Sequence, residues 1–173
     1  MANELITQYP WDLEQVPVTW EAHGLTCHVL RGPVGSLCGY VKLPEDHPLY
    51  NVGYSEDMPA WLQAAWEKRQ GEVVGGSMSP LRMFCLAFGS SPQAADVFSV
   101  HGGVTYSGFD NGKYKPEGFW WGFDCAHAGD FTPSSLSYGW APSGEDVYRE
   151  LLYVQAQTEG LALQFQQVKA LKS

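Results

Sequence analysis

The sequence predicts an α+β fold, in which an antiparallel meander sheet is packed by a long C-terminal helix and one shorter helix. Three observations support this prediction. β-Branched and aromatic runs separated by tight-turn residues fill the N-terminal part, Asp110-Asn111-Gly112 is a hairpin turn signal, and apolar residues recur at helical spacing near the C-terminus. The 173 residues contain no internal repeat or linker, which indicates a single domain over residues 1–173.

The N-terminal strands are predicted from residue types and turns. Val18–Ala22 and Leu25–Arg31 have strand character, and His23-Gly24 between them can make a tight turn. Ser36–Leu43 is predicted to be a third strand, which ends at Pro44. Together these segments predict the meander.

Two further strands are predicted around the hairpin signal. One covers Asp96–Val100 and ends at His101, and the other covers Phe119–Phe123 and ends at Asp124. Because the hairpin signal lies between them, we expect the two strands to pair, with His101 and Asp124 side by side. The earlier segment Leu81–Phe88 fits either a helix or a strand.

Two helices complete the predicted fold. Asp57 can cap a shorter helix that has Pro59 in its first turn and ends near Gly71. Ser143 begins a capping-box pattern, and the chain after it is predicted to be helical as far as Leu171. The apolar positions of this long helix recur at three- or four-residue steps, apart from one seven-residue gap: Val147, Leu151, Val154, Leu161, Phe165 and Val168.

The charge balance disfavours one class of partner. Nineteen acidic residues against ten basic ones give a net charge of −9, whereas binding to a nucleic-acid backbone needs clustered Lys and Arg. No apolar run reaches the roughly 18 residues of a membrane span, and the N-terminus lacks the basic and apolar regions of a signal peptide. We therefore expect a cytoplasmic protein. Its cysteines should be reduced: Cys27, Cys38, Cys85 and Cys125.

The first candidate site segment begins at His101. Gly102 and Gly103 carry no Cβ, so their backbone can approach a ligand or form a small anion-binding nest. Thr105 adds a hydroxyl group, and we expect these residues to bind ligand if the site is functional. A plain turn is the alternative for the glycine pair.

The second segment, Asp124–Asp130, is denser in reactive groups. Its carboxylates and His127 suit general acid–base catalysis, in which Asp130 orients a histidine. The same groups suit a divalent metal ion held by His101, Asp124 and His127. In the alternative, Asp124 and Asp130 cap loop N–H groups, while Cys125 is a small buried hydrophobe.

His47 is a further candidate for ligand binding. It lies beside two carboxylates in a loop bounded by Pro44 and Pro48, and such a loop could complete the site. Serine-hydrolase chemistry is not expected, because the sequence has no Gly-x-Ser-x-Gly elbow to activate a serine.

Several motifs resemble those of a family of small bacteriophage and bacterial proteins with no established activity. The motifs are Cys38-Gly39-Tyr40-Val41, His47-Pro48-Leu49-Tyr50, the segment Val100–Tyr106 and the segment Gly122–Asp130. The resemblance runs from about Cys38 to the C-terminal helix. It implies a phage-type accessory protein in a bacterial cytoplasm, of the kind that acts against host defence.

Three functions follow as expectations. The first is a small hydrolytic or acid–base enzyme in which His101, Asp124, His127 and Asp130 carry the chemistry, with or without a divalent metal. The second is a binding protein that sequesters a small nucleotide-like ligand in an aromatic-lined pocket. The third is an inhibitor that binds a bacterial host protein through its acidic face.

Overall fold

The sheet has five antiparallel strands in the spatial order β1-β2-β3-β5-β4. The computed structural model describes residues 8–74, 91–140 and 145–172. The strands are β1 Val18–Ala22, β2 Leu25–Arg31, β3 Leu37–Leu43, β4 Tyr106–Asp110 and β5 Gly118–Asp124. The helices are α1 Pro10–Leu13, α2 Ala60–Val74 and α3 Leu151–Lys172. The predicted α+β architecture is confirmed. Leu81–Phe88, Cys85 and Ser143 lie outside the described residues.

Local turn chemistry sets the β1–β2 register. His23 and Gly24 have φ angles of 51° and 73°, which are left-handed values that match the twist of a tight hairpin. The register pairs Ala22 with Leu25 directly across this turn. The predicted bounds of the first two strands and the turn between them are therefore confirmed.

The prediction of a strand over Asp96–Val100 is wrong. Residues Ala94–Val97 form a short 3-10 helix instead, and the Asp96 carboxylate accepts a hydrogen bond from the Gln93 backbone N–H at 2.7 Å. The chain then turns the Phe98 ring into the core, 4.5 Å from the ring centroid of Phe165. The strand that forms the hairpin with β5 is β4, which begins only at Tyr106. The predicted hairpin therefore exists, but its first strand begins later in the chain.

The helix boundaries also differ from those predicted. Helix α2 follows Pro59 and continues past Gly71 to Val74. Helix α3 begins at Leu151, because Val147 is held in extended backbone as a bridge partner of Asp130. No described helix is long and apolar enough to cross a membrane.

Helix α3 packs on one face of the sheet through a continuous buried stripe. Its buried residues are Val154, Thr158, Leu161, Ala162, Phe165 and Val168. Thr158 fills the gap in the apolar pattern, because its hydroxyl donates to the Val154 carbonyl at 2.7 Å and needs no other partner. Gly39 of β3 lies under this point, where a Cβ would overlap Thr158 and Phe123. The missing side chain therefore sets how closely α3 approaches the sheet.

Glu14, just after α1, fixes the start of α3. Its carboxylate accepts a hydrogen bond from the Leu151 backbone N–H at 2.8 Å and another from the Tyr148 hydroxyl at 2.6 Å. Arg31 at the end of β2 pairs with the same carboxylate at 2.9 Å. A carboxylate at a helix N-terminus satisfies an unpaired donor and favours the helix dipole. This contact fixes the first turn of α3, which carries Tyr153.

Candidate functional site

The structure brings the two candidate segments together. His101 Nε2 lies 2.7 Å from Asp130 Oδ2, and the His127 backbone N–H donates to that same oxygen at 3.0 Å. The imidazole centroids of His101 and His127 are 5.9 Å apart. The reason for this proximity differs from the expected one, which was a strand that ends at His101. The chain after His101 leads into the start of β4, and the start of β4 pairs with the end of β5.

Asp130 is the buried hub of this cluster. Its side chain is only 1% exposed, and its Oδ1 accepts a hydrogen bond from Arg149 Nε at 2.8 Å. Burial raises the pKa of Asp130, but hydrogen bonds from His101, Arg149 and the His127 backbone outweigh it, so the pKa lies below its ordinary value. The carboxylate is therefore ionised at neutral pH.

Tyr153 of α3 completes the cluster from the other side of His101. Its hydroxyl lies 3.0 Å from His101 Nδ1, and Gln157 Oε1 accepts the His101 backbone N–H at 3.0 Å. An ionised Asp130 can only accept, so the hydrogen-bond network assigns the ring proton to Nε2. The Nδ1 lone pair then accepts the phenolic O–H of Tyr153, which gives an unbroken Tyr–His–Asp array.

Sequence reasoning missed Arg149, Tyr153 and Gln157. They follow one another at four-residue steps, so they share one side of the chain as it enters and follows α3. Tyr153 and Gln157 contact His101, and the guanidinium carbon of Arg149 lies 5.2 Å from the Tyr153 ring centroid. The sequence could have indicated them, because polar residues recur every four positions beside the buried face of α3.

Gly102 makes room for an imidazole. Its φ is +66°, and a Cβ there would overlap the His127 ring. Gly103 also has a left-handed φ of +85°, but a Cβ there would meet no atom within 4 Å. The geometry therefore gives Gly102 a steric role, in which the His127 ring lies directly against its backbone.

Asp124 caps the loop and also lies beside His127, which are the two positions considered for it. Its Oδ2 accepts the Thr105 hydroxyl at 2.8 Å, and its Oδ1 accepts the Ala126 N–H at 3.0 Å, so it caps the loop. His127 Nε2 lies 3.5 Å from Asp124 Oδ1, within ion-pair range, yet it makes no hydrogen bond in the described structure. That nitrogen is a buried polar atom without a hydrogen-bond partner among the described residues.

The metal hypothesis loses its geometric basis. Among the described residues, no group of three or more His, Cys, Asp or Glu side chains is arranged to hold a metal ion. His101, Asp124 and His127 direct their atoms elsewhere: His101 bonds Tyr153 and Asp130, and Asp124 bonds Thr105. These three residues therefore do not form the expected metal site.

The described cysteines are buried free thiols: Cys27, Cys38 and Cys125. Burial and the nearby carboxylate of Asp130 raise the pKa of Cys125 to about 12. The thiolate is the reactive form of cysteine, so Cys125 is inert at neutral pH. This agrees with its interpretation as a small buried hydrophobe.

His47 does not belong to the site. It is buried, its Nε2 donates to the Phe165 carbonyl at 3.0 Å, and its Nδ1 accepts the Leu49 N–H at 3.1 Å. Phe165 lies twelve residues beyond Tyr153 on α3, a rise of roughly 18 Å. The carboxylates beside His47 in the sequence suggested an exposed loop, whereas the imidazole ties that loop to the helix.

We predict a pH-dependent loss of stability from two buried histidines. Burial is the largest cause that lowers the pKa of His47 and of His28, so in the folded protein both bind a proton less readily than an ordinary histidine. The unfolded chain, with a histidine pKa of about 6.5, then binds more protons just below that pH. The free energy of unfolding should therefore fall as the pH drops from 7.5 to 5.0, in urea titrations at each pH.

The control variant for this prediction is His23→Asn, which changes an exposed turn histidine and should keep the same drop. The double variant His28→Gln/His47→Gln should be less stable at pH 7.5 but nearly insensitive to pH in this window. A wild-type protein of equal stability at both pH values would contradict the prediction.

Taken together, the site can pass a proton from a partly exposed phenol to the His101 imidazole, which the buried, ionised carboxylate of Asp130 orients. Tyr153 is 37% exposed, so this end of the array lies at the protein surface. No protein-family model, curated protein or solved structure matches the chain, and its function therefore rests on the chemistry of this site.

Proposed function

We propose that the protein is a small hydrolytic enzyme that works by acid–base chemistry, with Tyr153 as the group that attacks the substrate. The observation that carries the proposal is the hydrogen-bonded array from the Tyr153 hydroxyl through His101 to the ionised Asp130. A weak nucleophile becomes effective when a base removes its proton and a third group orients that base. The site has all three groups.

The roles follow from the hydrogen bonds. Asp130 accepts Nε2–H and keeps the His101 Nδ1 lone pair towards the phenol. As the Tyr153 oxygen bonds to an ester carbonyl, Nδ1 takes its proton, and the leaving alcohol receives that proton when its C–O bond breaks. Water then cleaves the tyrosyl ester. The water oxygen bonds to the acyl carbon while one water proton passes to His101. The bond from the acyl carbon to the Tyr153 oxygen breaks, and His101 returns a proton to that oxygen.

Two neighbouring side chains support the same chemistry. The Arg149 guanidinium lies 5.2 Å from the Tyr153 ring centroid, where its charge favours the phenolate. His127 has an unpartnered Nε2, and its ring lies 5.9 Å from that of His101, so it can hydrogen-bond a substrate beside the array. The bacterial cytoplasm as the setting, and a part in evading host defence, rest on the resemblance to phage proteins.

The experiment is release of p-nitrophenolate from p-nitrophenyl acetate. We expect His101→Ala and Tyr153→Phe to lower the enzymatic rate by about 10²–10⁴-fold, because each removes one partner of the proton transfer. Early in the reaction, mass spectrometry should find an acetyl group on Tyr153 of the wild-type protein.

Tyr138→Phe is the matched control, because Tyr138 is an exposed tyrosine away from the array and should keep the wild-type rate. Thermal melts of all variants establish that the fold persists. Equal rates for the wild-type protein and Tyr153→Phe would reject the mechanism. No turnover by the wild-type protein would leave binding as the use of the site.

A further inference from the structure

A second concave site lies on the face of the sheet opposite α3. Gly39 of β3 faces the helix, so its neighbours Cys38 and Tyr40 face the other way. A cleft of about 870 Å³ opens there between the ends of β2, β3 and β4 and the loop 111–117. This volume falls in the range of small-molecule sites, roughly 300–1,000 Å³.

The wall of this cleft is built in advance. Lys115 is buried, its ammonium lies 3.2 Å from Asp110 Oδ2, and it lies 4.6 and 4.7 Å from the ring centroids of Tyr40 and Tyr106. Asp110 Oδ1 also accepts the backbone N–H groups of Gly112 and Lys113 at 2.9 Å each. These contacts fix the loop against the sheet, so a ligand meets a cleft that needs little ordering.

One large aromatic ring remains exposed at this cleft. Tyr114 is 64% exposed and lines it, beside the rings of Tyr40 and Tyr106. Phe109 pairs with Phe119 across the strands, so its side chain lies on the helix face of the sheet instead. Exposed aromatic surface beside a cavity is typical of ligand sites, and ring faces bind flat ring systems by stacking. The amide of Asn111, also at the cleft, can hydrogen-bond the edge of such a ring system.

The charges at the cleft leave one cation for a ligand. Arg31 pairs with Glu14, and Lys115 pairs with Asp110. Lys113 lies over the Tyr114 ring at 4.7 Å and has no carboxylate partner in the described part of the chain. A single uncompensated ammonium beside a stacking face matches one anionic group attached to a flat ring.

We propose that this cleft binds a planar aromatic molecule that carries one anionic group, of the nucleoside monophosphate type. The base stacks on Tyr114, and the phosphate pairs with Lys113. The proposal is independent of catalysis at Tyr153, because the residues of the cleft are not those of the Tyr–His–Asp array.

Calorimetric titration with adenosine 5′-monophosphate tests the proposal, with adenosine and ribose 5-phosphate as partial ligands. We expect saturable binding of the monophosphate and about 10-fold or greater weakening when either the base or the phosphate is missing. Tyr114→Ala and Lys113→Gln should each weaken binding of the monophosphate by about 10-fold or more.

Two matched controls lie away from the cleft: Tyr138→Ala, which removes another exposed tyrosine, and Lys68→Gln, which removes another exposed lysine. Both should bind as the wild type does. His101→Ala should also bind normally, which separates this site from the proposed enzyme. No binding to the wild-type protein, or equal loss in cleft and control variants, would overturn the proposal.

Discussion

Asp130→Ala is expected to lower the free energy of unfolding by about 3 kcal/mol, the scale of breaking a buried ion pair. The substitution leaves three donors without their acceptor: His101 Nε2, Arg149 Nε and the His127 backbone N–H. Arg149 can turn partly to water, because its side chain is 27% exposed. The His101 ring and the buried backbone donor have less opportunity to do so, and urea titration at pH 7 measures the loss.

Asp124→Ala is the matched control for this prediction. Its side chain is about one-third exposed and accepts two hydrogen bonds, so its loss should cost under about 1.5 kcal/mol. The pKa of Asp130 is lowered in the fold, so its contribution is complete above the unfolded value of about 3.9 and is lost as the pH falls through the folded value. Equal losses for Asp124→Ala and Asp130→Ala at pH 7 would contradict the role of Asp130 as hub.

The fold was predictable where local chemistry decides it. The bounds of β1 and β2 follow from alternation and from a turn whose residues accept left-handed backbone. The prediction of a strand over Asp96–Val100 failed, because a run of β-branched and aromatic residues suits a buried turn of the chain as well as it suits a strand. There the burial of Phe98 against Phe165, a contact distant in sequence, determines the path of the chain.

The site was predictable in part for a related reason. His101 and Asp130 both lie beside glycines near strand ends, and such positions meet when the strands pair. Tyr153 was hidden, because nothing in the sequence around it distinguishes it from an ordinary surface tyrosine. His47 was misassigned, since its neighbours in the sequence are charged while its contacts in space are Leu49 and the carbonyl of Phe165.

The second large effect is expected at Gly39, far from the reactive groups in the sequence. Gly39→Val should lower the free energy of unfolding by about 3 kcal/mol, because its Cβ would overlap Thr158 and Phe123, which are both buried. The helix can relieve the overlap with Thr158 by moving away from the sheet. Thr158 is five residues beyond Tyr153, so that movement should also lengthen the Tyr153–His101 hydrogen bond and slow ester hydrolysis.

Gly160→Ala is the matched control at an exposed position of the same helix. Gly160 is an exposed residue of α3, and a Cβ there meets no atom within 4 Å, so alanine should stabilise the helix by about 0.5–1 kcal/mol and leave hydrolysis unchanged. Urea titration and the p-nitrophenyl acetate assay measure both variants. If Gly39→Val were as stable and as active as the wild type, close approach of α3 to the sheet could not be what positions Tyr153 against His101. A stable Gly39→Val protein with slow hydrolysis would instead show that the helix moves at little energetic cost, and that the array depends on the spacing that Gly39 allows.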